Sequence, residues 1–266
     1  KLSRWKNLAF LTLFYQLSQR FPKFIKKVLL QRVREQLGPD YDVETHFTPR
    51  YNPWAQRLCL VPDADMFEAI NSGQASVVTD QIETFTEKGI LLKSGKELEA
   101  DIIVTATGLV MQMLGGIELS VDGQQMDPGN ALAYKGVMLS GVPNLASVFG
   151  YVNASWTLKA DLICNYVCRL LNIMERKGMR QVTPTPNGES AVAPFVERFS
   201  SGYVQRAIPN WPKQGQKAPW RVYQNYFRDT FALKWTAIDD GALEFSNPQA
   251  EVRSQKSEKQ QLVISN

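Results

Sequence analysis

Residues 101–108, DIIVTATG, open on an acidic residue, run through apolar and β-branched positions without polar alternation, and stop at Thr107 and Gly108. An unalternating run predicts a strand buried on both faces, as in a parallel sheet covered by helices, where ligands sit beyond the carboxyl ends of the strands. Upstream the pattern alternates. SVVTD (76–80), QIETFTEKGILLKSG (81–95) and ELEADIIVTATG (97–108) predict an antiparallel meander with turns at Glu87-Lys88-Gly89 and Ser94-Gly95. RLCLV (57–61) predicts another buried strand, and Asp65 with Glu68 three residues on predicts a capping box opening a short helix that Gly73 closes. ELSVDGQQM (118–126) has the pattern of a hairpin. Leu145 to Phe149 repeats the motif of a short buried strand ending on glycine, here Gly150. A polar turn follows, then a helix capped by Ser155 or Thr157 and ended by Arg176-Lys177-Gly178, whose basic last turn and glycine suit a C-terminus. Residues 201–236 are rich in Trp, Tyr and Arg, the composition of a packed cap or a pocket wall, and the chain beyond Asn247 is polar and expected to fray.

At the N-terminus, Phe21, Phe24, Ile25, Val28, Leu29 and Val33 keep helical spacing, with Pro22 in the first turn and Gly38-Pro39 as a stop. LAFLTLFYQL (8–17) is apolar nearly all round and too short to span a bilayer. Charge sharpens this picture. The 266-residue chain carries +4, but residues 1–37 hold nine Lys/Arg against Glu35 alone, so this segment is +8 and the remainder −4. Such a segment suits either a membrane-surface or anionic-partner helix or a core-packed helix with a solvated basic face. The packed reading is preferred, because basic amphipathic helices are common in soluble folds.

Composition narrows the chemistry. At 44% hydrophobic residues the chain can bury a large core. Three cysteines, Cys59, Cys164 and Cys168, predict a reducing, cytoplasmic setting with the thiols packed as small apolar groups. His46 is the only histidine, and with the cysteines it has no zinc-like spacing, so triad hydrolases and metal sites are disfavoured. No G-x-G-x-x-G and no Walker loop occurs, so a nucleotide site here would lack its phosphate-binding half.

Three stretches together, HFTPRYNPWAQRLCLVPDADMFEAI (46–70), the strand ending in ATG (106–108) and NLASVFGYVNASWTLKADL (144–162), resemble the Baeyer-Villiger branch of class B flavin monooxygenases, closest to the ethionamide-activating type. The resemblance implies an α/β fold of two dinucleotide-binding, Rossmann-like domains, of which this chain is expected to be the C-terminal portion. It divides residues 1–108 as part of an NADPH-binding domain, 109–246 as part of an FAD-binding domain, and 247–266 as a polar tail. It implies FAD and NADPH as cofactors, dioxygen and a ketone or thio-compound as substrates, and no nucleic-acid partner. It also assigns positions. Arg57 is expected to stabilise an anionic flavin peroxide and later the nicotinamide. Asn153 and Ala154, with Ser155 beside them, are expected to approach the flavin pyrimidine edge. Thr105, Ala106, Thr107 and Gly108 are expected to lie at the crossing between domains. Both glycine fingerprints and the family's acidic partner of the arginine are missing from these residues, so the isolated chain is expected to be inactive. A second reading, from a different class, is a non-catalytic module that applies residues 1–37 to a membrane surface or a partner protein.

Overall fold

A computed structural model describes residues 2–59, 61–197 and 199–248; the expected polar tail lies almost wholly outside them. The described residues divide into two compact units, one of residues up to Met111 together with 199–206, the other of 112–197 together with the residues from Ala207.

The first unit begins with helices α1 (Leu2–Arg20) and α2 (Pro22–Leu37). Pro22 occupies the first turn of α2, where its missing N–H is no loss, and Gly38 (φ 86°) stops the helix. Ile25 and Leu37 of α2 are buried, and α2 packs on α3 (Val43–Phe47) and α4 (Asp65–Asn71). Asp42 caps α3 by accepting from the Thr45 N–H, and hydrogen bonding from the Thr45 side chain first, then its N–H, holds the carboxyl below the usual range. Asp65 does not form the expected box: it sits inside α4 and accepts from Met66 N–H, while Ala64 precedes the helix in a left-handed conformation. The meander forms β1 (Ile82–Phe85), β2 (Gly89–Leu92) and β3 (Glu97–Glu99) in one antiparallel sheet, with turns where the sequence places them. Residues 76–80 add no strand to it.

The second unit holds hairpins β4 (Leu119–Val121) with β5 (Gln124–Met126) and β6 (Ala133–Tyr134) with β7 (Met138–Leu139). Helix α5 (Trp156–Lys177) follows, then β8 (Gln181–Pro184), β9 (Ala193–Pro194), β10 (Lys213–Gln214), α7 (Tyr226–Thr230) and β11 (Leu243–Ser246); the short α6 (Gly202–Ala207), between β9 and β10 in the chain, lies in the first unit except for its last residue. Ladder β8–β11 runs from Gln181↔Ser246 to Leu243↔Pro184, and β9 pairs β10. Helix α5 supplies the backbone of the core. Its apolar stripe Leu162, Ile163, Tyr166, Leu170 and Met174 is buried in one cluster with Tyr134, Met138, Val182, Trp220 and Leu233, and Leu158 one turn earlier is buried as well. Gly178 closes it at φ 64°, its N–H donating to the Glu175 carbonyl.

The protein is therefore a mixed α/β chain with small sheets, and among the described residues every strand ladder is antiparallel. That corrects the expected parallel strands. Residues 101–110 pair with no strand among the described residues and are exposed along their length, with Ile102 at 82% and Val104 at 83%. A strand is made by neighbours that take up its N–H and C=O groups, and hydrophobicity alone supplies none. Residues 145–149 form only a bridge between Ala146 and Met138, and residues 57–59 have no regular structure, Leu60 lying outside the described residues. The cysteines are also corrected: all three are exposed, because Cys164 and Cys168 fall opposite the buried stripe of α5. In the aromatic C-terminal region Trp211, Trp220 and Val222 are buried, whereas Phe227, Phe231 and Trp235 are exposed.

Candidate functional site

Arg57 and residues 105–108 belong to the first unit. Arg57 follows a tight turn in which Pro53 bridges Gln56 and Trp54 takes a positive φ of 66°. Its side chain is exposed and has no ion-pair or hydrogen-bond partner among the described residues, so several guanidinium donors stand open to an anion. Thr105, Ala106, Thr107 and Gly108 are exposed and belong to no helix or strand. Gly108 has φ +117°, and the Arg206 guanidinium donates to the neighbouring Leu109 carbonyl at 3.4 Å.

Asn153, Ala154 and Ser155 lie in the second unit, at the head of α5. The turn that carries them is held at both ends. On one side Gly150 lets Trp156 lie on the backbone: a Cβ there would stand 2.2 Å from the indole Cγ. On the other, Gln224 accepts the Val152 N–H at 3.2 Å through its side chain and the Asn153 side-chain amide at 3.3 Å through its carbonyl. Ser155 does not cap the helix through its hydroxyl, which pairs with the Thr157 hydroxyl at 2.8 Å. The backbone N–H groups of Asn153, Ala154 and Ser155 therefore have no acceptor among the described residues. They stand at the positive end of a 22-residue helix. Such donors, half-buried at Asn153 and Ala154 and exposed at Ser155, would suit an electron-rich edge such as that of a flavin ring. Nothing among the described residues fits its pyrophosphate, which needs a glycine-rich turn that the sequence lacks.

Immediately behind the turn is a group the sequence reading missed. Lys159, on the first turns of α5, pairs with Asp229 of α7 at 2.8 Å, and the two side chains are 2% and 5% exposed. The ammonium also lies 5.4 Å from the centre of the Tyr151 ring. Burial lowers the lysine pKa against the pull of Asp229, and burial first, then the Asp229 charge, pushes the Tyr151 hydroxyl up. A second buried cluster joins Tyr134, which donates to Asp240 at 2.9 Å and meets the Tyr166 hydroxyl at 3.0 Å, to Lys135, 3.1 Å from Asp240. Lys159 was legible in principle. It interrupts an otherwise apolar stripe, and a lysine there must find an anion. Nothing in the sequence says which acid answers it, since Asp229 lies 70 positions away.

Around the same turn Phe149 packs on Trp156, Phe195 and Trp211 with ring centres 5.1–5.2 Å apart. Phe149, Phe195 and Trp211, with Met113, Val137 and Met138, line a narrow apolar hollow. The His46 ring meets the Thr79 hydroxyl at 2.9 Å and lies 5.8 Å from the centre of the Tyr41 ring, and no group of metal-ligating side chains occurs among the described residues.

No protein-family model matches the chain. Individual proteins do. It is 49% identical over 257 residues to the FAD-containing monooxygenase EthA of Mycolicibacterium smegmatis, covering 96% of this chain and 52% of that protein. It is 50% identical over 250 residues to the FAD-containing monooxygenase EthA of Mycobacterium tuberculosis, covering 94% and 51%. It is 51% identical over 246 residues to a protein named "Probable FAD-binding monooxygenase AlmA" from Acinetobacter baylyi, covering 92% and 49%. The chain thus spans about half the length of the relatives it matches. Across that span about half of its residues are identical to those of proteins named FAD-containing or FAD-binding monooxygenases.

Proposed function

We propose that these residues are the C-terminal portion of an FAD- and NADPH-dependent monooxygenase that inserts an oxygen atom beside a ketone carbonyl or oxidises sulfur or nitrogen. The observation that carries this reading is the likeness to FAD-containing monooxygenases over more than nine-tenths of the chain, with the unpartnered amides of Asn153–Ser155 in support. Flavin, once reduced by NADPH, supplies the activation of dioxygen. The chain's own residues contribute fixed charge. The turn amides favour electron density on the pyrimidine edge, and Arg57 offers a permanently charged, multidentate donor set to an oxygen anion. In this reading Thr105–Gly108 line the crossing between the nucleotide-binding domains, and the exposed run Ile102–Val104 is a strand whose neighbours lie in sequence outside this chain. Two Rossmann-like domains would then be completed only in the longer protein.

Arg57 provides the test, in the complete enzyme. Arg57→Ala is expected to abolish oxygenated product, to divert electrons from NADPH to hydrogen peroxide, and to leave flavin content and melting temperature unchanged. The last expectation follows from exposure: an unpaired surface arginine is worth at most about 0.5 kcal/mol to folding. Arg57→Lys keeps the charge without the planar fork and should restore little. Normal product yield from Arg57→Ala would remove Arg57 from the site.

A further inference from the structure

The first two helices leave apolar side chains in water along a regular line. Phe10, Leu13 and Leu17 of α1, Phe21 at the elbow, and Phe24 and Val28 of α2 follow spacings of 3, 4, 4, 3 and 4, and all are exposed, Phe10 at 65% and Phe24 at 64%. Such spacing keeps side chains on one face of a helix. The i to i−4 hydrogen bonds continue through the elbow, from Phe21 N–H to Leu17 and from Ile25 N–H to Phe21. The opposite side is spent on packing, with Leu8, Ser18, Ile25 and Leu37 buried.

Charge is distributed unevenly along the same pair. Toward the end of α2, Arg32 and Arg34 have carboxylate partners in Glu35 and Glu44. Lys26 is turned inward and donates to the Pro49 carbonyl. Around the elbow, by contrast, Arg20, Lys23 and Lys27, and Lys6 near the start of α1, are exposed and have no carboxylate partner among the described residues. Lys23 and Lys27 form the row next to Phe24 and Val28, and the Arg20 guanidinium stands 5.6 Å from the centre of the Phe21 ring. Among the described residues no helix is long and apolar enough to cross a membrane.

From this juxtaposition we propose that the α1–α2 elbow is a peripheral docking surface for an anionic phospholipid bilayer. Its phenylalanine and leucine side chains enter the headgroup boundary while the unpaired lysines and Arg20 meet lipid phosphates. The large uncompensated charge of residues 1–37 supplies the complementarity, and it also selects a bilayer over an apolar protein groove, which would leave those cations without partners. The surface would hold the enzyme where apolar substrates concentrate, and it stands whether or not the flavin reading does.

The test is cosedimentation of the complete protein carrying this chain with vesicles of phosphatidylglycerol and phosphatidylcholine, against vesicles of phosphatidylcholine alone. Binding is expected to the anionic vesicles only, falling as salt rises. Lys23→Glu/Lys27→Glu should weaken it at least about 30-fold, each cation near the surface being worth roughly a fivefold change. Leu13→Ser/Phe24→Ser should weaken it by roughly tenfold or more without altering melting temperature, since both side chains are exposed. Lys93→Glu/Lys96→Glu, an equal charge change on the exposed β2–β3 turn, should leave binding intact. Absence of vesicle binding by the complete protein, equal loss in the β2–β3 control, or binding to a short DNA duplex in place of vesicles would each overturn the proposal. Absence of vesicle binding would mean that another part of the protein covers the stripe.

Discussion

The buried pair Lys159–Asp229 shows how one side chain can commit a whole local arrangement. Two ions almost without solvent at 2.8 Å attract strongly, yet desolvating them offsets most of that attraction. Removal of one partner leaves a stranded charge. Lys159→Met is therefore expected to destabilise the second unit by about 3–5 kcal/mol, whereas Lys159→Met/Asp229→Leu should recover most of the loss. Chemical denaturation of the two variants measures both. If the double variant is as unstable as the single, the pair contributes through more than mutual neutralisation, and its contact with the Tyr151 ring becomes the place to look. Arg57 is the opposite case, a cation without partner and open to solvent, for which folding supplies no reason.

At the scale of elements, α5 and the turn before it are built on two glycines with different duties. Gly178 needs its left-handed φ of 64° but has open space around it, so Gly178→Ala should cost about 1 kcal/mol. Gly150 needs room: an added Cβ would meet Trp156 at its Cγ, Cδ2 and Cβ, at 2.2, 2.4 and 2.7 Å, and the last of these atoms cannot swing away. Gly150→Ala is therefore expected to cost about 1–3 kcal/mol and to displace the start of α5, lowering flavin affinity in the complete enzyme along with melting temperature. Equal melting temperatures for the two glycine variants would contradict the close-contact account. The elements that the sequence predicts correctly, α2, α5 and the β1–β2–β3 meander, are those whose instructions are local. Proline at the start, glycine at the stop and a periodic apolar stripe lie within the element itself.

Taken whole, the molecule presents a large apolar surface for its size, at Ile102, Val104, Leu109 and Val110 as well as along α1 and α2. The chain lacks the glycine turn that a pyrophosphate requires, so it is expected to purify colourless and to lose added FAD on gel filtration, while the longer protein retains it. Stoichiometric flavin absorbance on the chain alone would refute the division of the cofactor site. The residues alone determined where α2 and α5 start and stop, which positions form β1–β3 and the β4–β5 hairpin, which residues resemble the flavin-monooxygenase pattern, and that the basic charge is concentrated in the first 37 residues. All of these are carried by neighbours a few positions apart. Pairing decided the rest. DIIVTATG has the composition of a buried strand but finds no partner strand among the described residues; Cys164 and Cys168 are apolar enough to bury but fall on the wet face of α5; Lys159 meets Asp229 only because α7 folds back on α5. Burial and pairing belong to surfaces that meet in space, and a one-dimensional pattern can state what a residue needs without stating what will supply it.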